Sequence, residues 1–234
     1  MGMKDGYKLM GFQYELTGSL YSLGQIPKCK VAMLDHLKPG HRLLIAGVGH
    51  GTEAVEAARR GVDVTAVDIS KTMLKYMQKK IDRVRLDKPI RMINNDILEE
   101  HHPQEFDMVM ANYFLNVFSR EKMLKILTHL TTFVKPGGAM VIGDFTLPRE
   151  GGKCYKAFQT AYWYIAATIY WATADNAIHP IYDYPVLLKS LGFEIEEIKN
   201  LRMLGMNCHW SILGRKKAAE KSVSSPAHGP GTAA

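Results

Sequence analysis

Three glycines alternate in Gly47-Val48-Gly49-His50-Gly51, directly after the apolar run Leu43–Ala46 and directly before a helical pattern. A lone carboxylate, Asp68, closes the next apolar run. Glycines in such a turn let a ligand lie against bare backbone, because no Cβ intervenes. The helix that follows aims its free N–H groups at the same place. An acidic side chain about 20 residues beyond the first glycine can accept both hydroxyls of a ribose. Together the turn and the carboxylate describe a grip on a nucleoside. The order is not the dinucleotide fingerprint G-x-G-x-x-G, because Thr52 stands where its third glycine belongs.

A second group of residues could move protons. The segment "HPIYDY" supplies His179, Tyr182, Asp183 and Tyr184, and His209 follows near the end of the chain. An imidazole that titrates near neutrality, steadied by a carboxylate, is a workable general base. His179 assisted by Asp183 is therefore the expected catalytic pair, with a purely structural histidine beside Pro180 as the alternative. Tyr182, Tyr184 and His209 are candidate substrate contacts; packing with a single hydrogen bond is the other reading of the tyrosines. No metal site is expected. Cys29, Cys154 and Cys208 are widely separated and make neither a zinc nor a redox motif.

The elements that must position these groups follow from periodicity. Strands are expected at Leu43–Ala46, "VDVTAVD", "IRMIN", "FDMVMAN" and "AMVIGDF". Helices are expected at about Thr52–Arg60, after Ser70 through Asp82, and after Ser119. Strands alternating with helices of this length imply right-handed crossovers and a mostly parallel sheet. Beyond Pro148 the rhythm changes to an aromatic helix of roughly Cys154–Asn176, a short helix "PVLLKSLG", and two strands that close as an antiparallel pair. On the aromatic helix, Phe158, Tyr162, Ile165 and Ile169 fall on one stripe. Such a helix reads either as core with a homodimer contact or as a lid over a hydrophobic substrate, with Tyr162 facing that substrate.

Composition sets the frame. The 234 residues are enough for one large domain, and 47% hydrophobic with 23% charged content is ordinary for a globular protein. A net charge of +7 suits an anionic neighbour or simply a basic surface. No aromatic-rich basic strand or RNA-binding module accompanies it, so nucleic acid is not an expected partner. The cysteine usage suits a reducing cytosol, and a cytoplasmic location with room for peripheral membrane contact is expected. The expected organisation is an N-terminal helical cover over 1–40, a domain over 41–217 with a helical insert at 150–184, and a disordered tail over 218–234.

The ordered set "GVGHG", "AVDIS", "NNDILE", "FDMVMANYFLNVF" and "VKPGGAMVIGDF" resembles the class I S-adenosylmethionine-dependent methyltransferases. The resemblance covers about Leu43 to Arg215. It implies a Rossmann-like α/β fold, with a seven-stranded mostly parallel sheet, helices on both faces and a C-terminal antiparallel hairpin. S-adenosyl-L-methionine is the implied cofactor and a small, hydrophobic or aromatic molecule the implied acceptor. It further implies that Gly47, Gly49 and Gly51 line the methionine portion and that Asp68 holds the ribose. Ile69 and Met73 would pack beside the adenine, with Asp96 accepting from its amino group and Ile97 on the ring face. Asn112 and Tyr113 would sit beside the sulfonium, Tyr113 among the catalytic groups, and Tyr14, Tyr21 and Gln25 would cover the cofactor. The position of the aromatic helix is similar to the insert of the ubiquinone/menaquinone C-methyltransferase branch. One departure stands out: most such enzymes carry an acidic residue two places before the first motif glycine, where this chain has Ile45. Transfer of another part of the cofactor, or a non-catalytic cofactor-binding partner, are the competing readings.

Overall fold

The apolar runs pair into one sheet. In the computed structural model, which describes residues 14–148, 151–174, 177–203 and 205–218, β1 (Arg42–Ala46), β2 (Asp63–Val67), β3 (Arg91–Ile93) and β4 (Phe106–Asn112) are joined by β5 (Val134–Phe145), β6 (Phe193–Met203) and β7 (Met206–Lys216). Their order is β3-β2-β1-β4-β5-β7-β6. The first five run parallel, and β7 enters antiparallel between β5 and β6. The expected Rossmann-like architecture is thus observed. The order reverses between β1 and β4, and ligands of open α/β sheets bind at such a reversal, beyond the carboxyl ends of the strands.

Helices α1 (Tyr14–Tyr21) and α2 (Gln25–Val31) precede the sheet. Gly24, at φ 78°, separates the two helices of the expected helical cover. Helix α3 (Thr52–Arg59) follows β1, α4 (Lys71–Ile81) follows β2, and α5 (Arg120–Phe133) follows β4. After β5 come α6 (Lys153–Ala174) and α7 (Tyr184–Ser190). Ser70 opens α4 as expected of a capping residue, its Oγ accepting from the Met73 N–H at 3.2 Å. The first thirteen residues of the expected cover segment lie outside the described residues, as do the side chain of Tyr14 and all but Ala218 of the expected tail.

Alternation along the strands splits the core. Leu44, Ala46, Val109 and Ala111 face one side with Leu127 and Leu130 of α5. Leu43, Ile45, Met108 and Met110 face the other with Ala54, Val55 and Met77 of α3 and α4. Strands buried on both faces read as near-continuous apolar runs, which is why β1 and β4 were legible. A third cluster sits at the carboxyl edge of the sheet, where Tyr113, Phe145 and Cys208 meet Tyr162, Trp163 and Ala166 of α6. The expected stripe on α6 is corrected by this packing. Tyr162 turns inward with Trp163, while Phe158, Ile165 and Ile169 lie on the exposed side. Among the described residues no helix is long and apolar enough to cross a membrane.

Candidate active site

The glycine turn adopts the backbone that its composition demands. Gly47, Gly49 and Gly51 have φ of 73°, 50° and 73°, a left-handed region that L side chains enter only at a cost. A Cβ on Gly47 would also stand 2.2 Å from the Phe114 ring, and one on Gly51 2.5 Å from Met77. The partly buried Asp68 carboxylate governs this turn. Its Oδ2 accepts from the Val48 N–H at 2.9 Å and its Oδ1 from the Ser70 N–H at 2.8 Å. Asn94, which the sequence gave no reason to single out, donates to the carbonyls of Asp68 and Ile69 and fixes the loop from the β3 side.

Around this loop the expected adenine contacts divide. Ile69 is exposed, whereas Met73 turns inward from α4 with 2% exposure. Asp96 Oδ1 accepts from the Leu98 N–H at 3.0 Å and so caps a 3₁₀ turn, Ile97–Glu99. Ile97 is buried against the core.

A cavity of about 500 Å³ opens over the ends of β4 and β5. Tyr21, Lys30, His50, Tyr113, Phe145 and Trp163 lie in its wall, which is mainly apolar. Tyr21 of this wall is held by a distant part of the chain. The rings of Tyr21 and Tyr162 stack at 4.4 Å, and the Tyr21 hydroxyl donates to the Tyr162 carbonyl. Tyr113 stands at the β4 terminus with φ 52°, an unusual conformation for a bulky residue. Its hydroxyl lies 3.0 Å from Nδ1 of His209, whose Nε2 lies 3.2 Å from the Tyr162 hydroxyl. His209 is fully buried, and that desolvation pushes its pKa down to about 3. The ring is therefore neutral, with one N–H and one lone pair, so one tyrosine donates to it and the other accepts. Burial lifts the Tyr113 hydroxyl well above its usual range and the neighbouring Cys29 thiol to about 12.

Several expected site residues lie elsewhere. The two ring nitrogens of His179 face backbone carbonyls, Nδ1 that of Pro180 at 2.7 Å and Nε2 that of Asn116 at 2.8 Å. The ring stacks on Tyr182 at 4.1 Å. Neither nitrogen is left for Asp183, whose Oδ1 caps α7 through the Val186 N–H, so the expected pair is not assembled. Tyr182 donates to the Phe118 carbonyl at 2.9 Å. Tyr184 is fully buried and donates to Asp144 Oδ2 at 2.7 Å. His179 and Tyr182 brace the loop after β4, Asp183 caps α7 and Tyr184 anchors to β5, and none of the four lines the cavity. Asn112 also points away from it: Nδ2 donates to the Lys30 carbonyl at 3.0 Å and ties α2 to the sheet.

The sequence reading missed Lys30 in the cavity wall and the buried Glu53 behind it. Lys30 of α2 and Glu53 of α3 are both buried and approach to 3.6 Å, and neither Glu53 oxygen has a hydrogen-bond partner. A charged residue amid the buried positions of α3 was the available signal. Among the described residues no cluster of metal-ligating side chains occurs. The arrangement fits a nucleoside carrying a charged tail. It places the Asp68 carboxylate at the glycine turn and the buried Glu53 carboxylate behind Lys30 of the cavity wall.

Comparison with known proteins agrees with this geometry. Residues 43–138 match the model of a methyltransferase domain family. The chain is 28% identical over 155 residues to a demethylmenaquinone methyltransferase of Renibacterium salmoninarum, covering 64% of this chain and 59% of that protein. It is 30% identical over 141 residues to a cypemycin N-terminal methyltransferase of a Streptomyces species, covering 58% of this chain and 54% of that protein. The matched region thus spans little more than half the length of either relative. Among solved structures, magnesium protoporphyrin IX methyltransferase from Synechocystis with bound SAM shares the fold, with a TM-score of 0.65 and 15% identity over 92% of this chain and 98% of that one.

Proposed function

We propose, from the premise that residues 43–138 are a class I S-adenosylmethionine-dependent methyltransferase domain, that this chain transfers a methyl group to a small, hydrophobic acceptor. The observation that carries the reading is the left-handed turn at Gly47–Gly51, gripped by Asp68 and opening onto an apolar cavity that ends at Tyr113. The cofactor, when bound, supplies an electrophilic methyl on a sulfonium. The Asp68 carboxylate takes the ribose hydroxyls, and Ile69 covers the base. Phe145 and Trp163 exclude water and hold the acceptor by apolar contact. Tyr113, its hydroxyl fixed by His209, orients the acceptor's nucleophilic atom. Much of the rate of such an in-line displacement can come from orientation alone. A nucleophile that arrives deprotonated, or is carbon activated within the acceptor, needs no base, which suits a site whose histidine is buried and neutral.

The acceptor class is supported by the aromatic and aliphatic cavity wall. Calorimetry with S-adenosylhomocysteine tests the cofactor reading. Asp68→Ala is expected to weaken binding by at least tenfold, and unchanged affinity would sink the assignment. Mass spectrometry of apolar hydroxylated aromatics incubated with enzyme and cofactor tests the transfer. A gain of one methyl is expected; any other increment points to transfer of another part of the cofactor.

A further inference from the structure

Helix α6 carries apolar side chains on two faces, and the core uses only one of them. Tyr162, Trp163, Ala166 and Ala167 turn inward, whereas Phe158, Tyr164, Ile165, Ile169 and Trp171 point outward. Phe158, Ile165 and Trp171 are each more than half exposed. Residues seven apart lie on one side of a helix, so Phe158 shares a row with Ile165, and Tyr164 shares the next with Trp171. From Ala157 to Ala174 the helix holds no charged residue. Single apolar residues on a surface are ordinary, but a contiguous apolar face marks one that something covers. Helix α1 adds to it. Leu16 lines the cavity and is more than half exposed, so it stands at the rim, and Leu20, one turn on, is exposed as well. Helix α6 reaches the same cavity through Trp163, Ala166 and Ala167. The two helices thus flank the mouth and carry its apolar lining out to the surface.

The charges around this face say what covers it. Helix α6 has two charged residues, Lys153 and Lys156, both exposed in its first turns, and no acid. Arg202 adds a third cation at that end, since its Nε donates to Asn207, which in turn meets Tyr155 and Gln159 of α6. Cations beside an apolar face complement a surface of anionic headgroups over acyl chains. Tyr and Trp suit the boundary between the two, because their rings are apolar and their tips polar. A second copy of the chain is the other candidate cover, but it would close the mouth through which an acceptor enters. A lipid surface instead delivers an apolar acceptor to that mouth, a choice that rests on the acceptor reading above. We propose that α1 and the outer face of α6 seat this protein on an anionic phospholipid surface, with the cavity mouth toward the lipid. Among the described residues no helix is long and apolar enough to cross the bilayer, so this contact lies at its surface.

Flotation of the full chain with lipid vesicles tests this without cofactor or turnover. The protein should float with vesicles of phosphatidylcholine and phosphatidylglycerol, and about tenfold less with phosphatidylcholine alone or at high salt. Fluorescence reads which face is seated. Of the three tryptophans, Trp163 and Trp210 are buried, so quenching by brominated lipid should come from Trp171. Phe158→Glu/Ile165→Glu should cut vesicle binding by about tenfold or more while melting with the parent, since both side chains are exposed. Ile198→Glu, on β6, should float as the parent does. A parent that stays in solution, a double variant that floats undiminished, or an unquenched Trp171 would overturn the inference. So would a parent that is dimeric by light scattering and is made monomeric by the double variant. A protein that floats but methylates no apolar acceptor would overturn the acceptor reading and leave the lipid contact standing.

Discussion

His209 and Asp144 sit on paired strands and want opposite things of the solvent's protons. His209 lies opposite Phe145 in the β5–β7 ladder, next to Asp144 opposite Trp210. Burial drives the His209 pKa to about 3, so below its ordinary value near 6.5 the unfolded chain takes up a proton that the folded chain refuses. Its contribution to stability is therefore lost as pH falls from about 6.5. Asp144 is raised to about 6 by burial, although Tyr184, the Phe145 N–H and Asn116 donate to it. The folded chain keeps that proton where the unfolded chain sheds it, so this contribution grows as pH falls from 6 to 4. Each runs at about 1.4 kcal/mol per pH unit, with opposite sign. Relative to the parent, His209→Phe should gain about 3 kcal/mol between pH 6 and pH 4, and Asp144→Asn should lose about 2 kcal/mol. Urea titrations at the two pH values check both slopes; parallel curves for parent and variants would refute the assigned protonation states.

At the scale of elements the glycine turn invites a direct test. Gly47 combines a positive φ with a crowded Cβ position, whereas Gly137 has a φ of 75° and open space around it. Gly137→Ala should cost only the conformational term, about 1 kcal/mol. Gly47→Ala should cost about 3 kcal/mol, since overlap with Phe114 adds its own penalty. In a double-mutant cycle, Phe114→Ala should recover part of the difference, because the ring contacts go while the Cβ, 2.9 Å away, remains; thermal melts read the coupling. This turn was legible in the sequence because its logic is local: spacing, glycine and the carboxylate that ends the following strand. The strands were legible for the same reason. Which of the candidate side chains meet was not. His179 and Asp183 are neighbours in sequence, yet the fold spends the imidazole on two carbonyls and the carboxylate on a helix cap. Tyr113 and His209 meet across 96 residues, and Lys30 reaches Glu53 only because α2 packs on α3. No local pattern encodes such meetings.

For the molecule as a whole, ligand and fold are linked. A ligand that binds only the folded chain stabilises it by about 2.7 kcal/mol at a hundredfold excess over its Kd. For a domain of this size that corresponds to a rise in Tm of about 5–10 °C. Saturating S-adenosylhomocysteine should produce that shift by differential scanning fluorimetry, and NADH should produce none. A rise with NADH alone would argue for hydride chemistry in place of methyl transfer.

The tyrosine pair over the cavity joins residues 141 apart in sequence. A growing polypeptide therefore displays the nucleoside half of its site well before the partner that shuts it exists. Tyr162 arrives only with α6, and His209, which meets its hydroxyl, later still on β7.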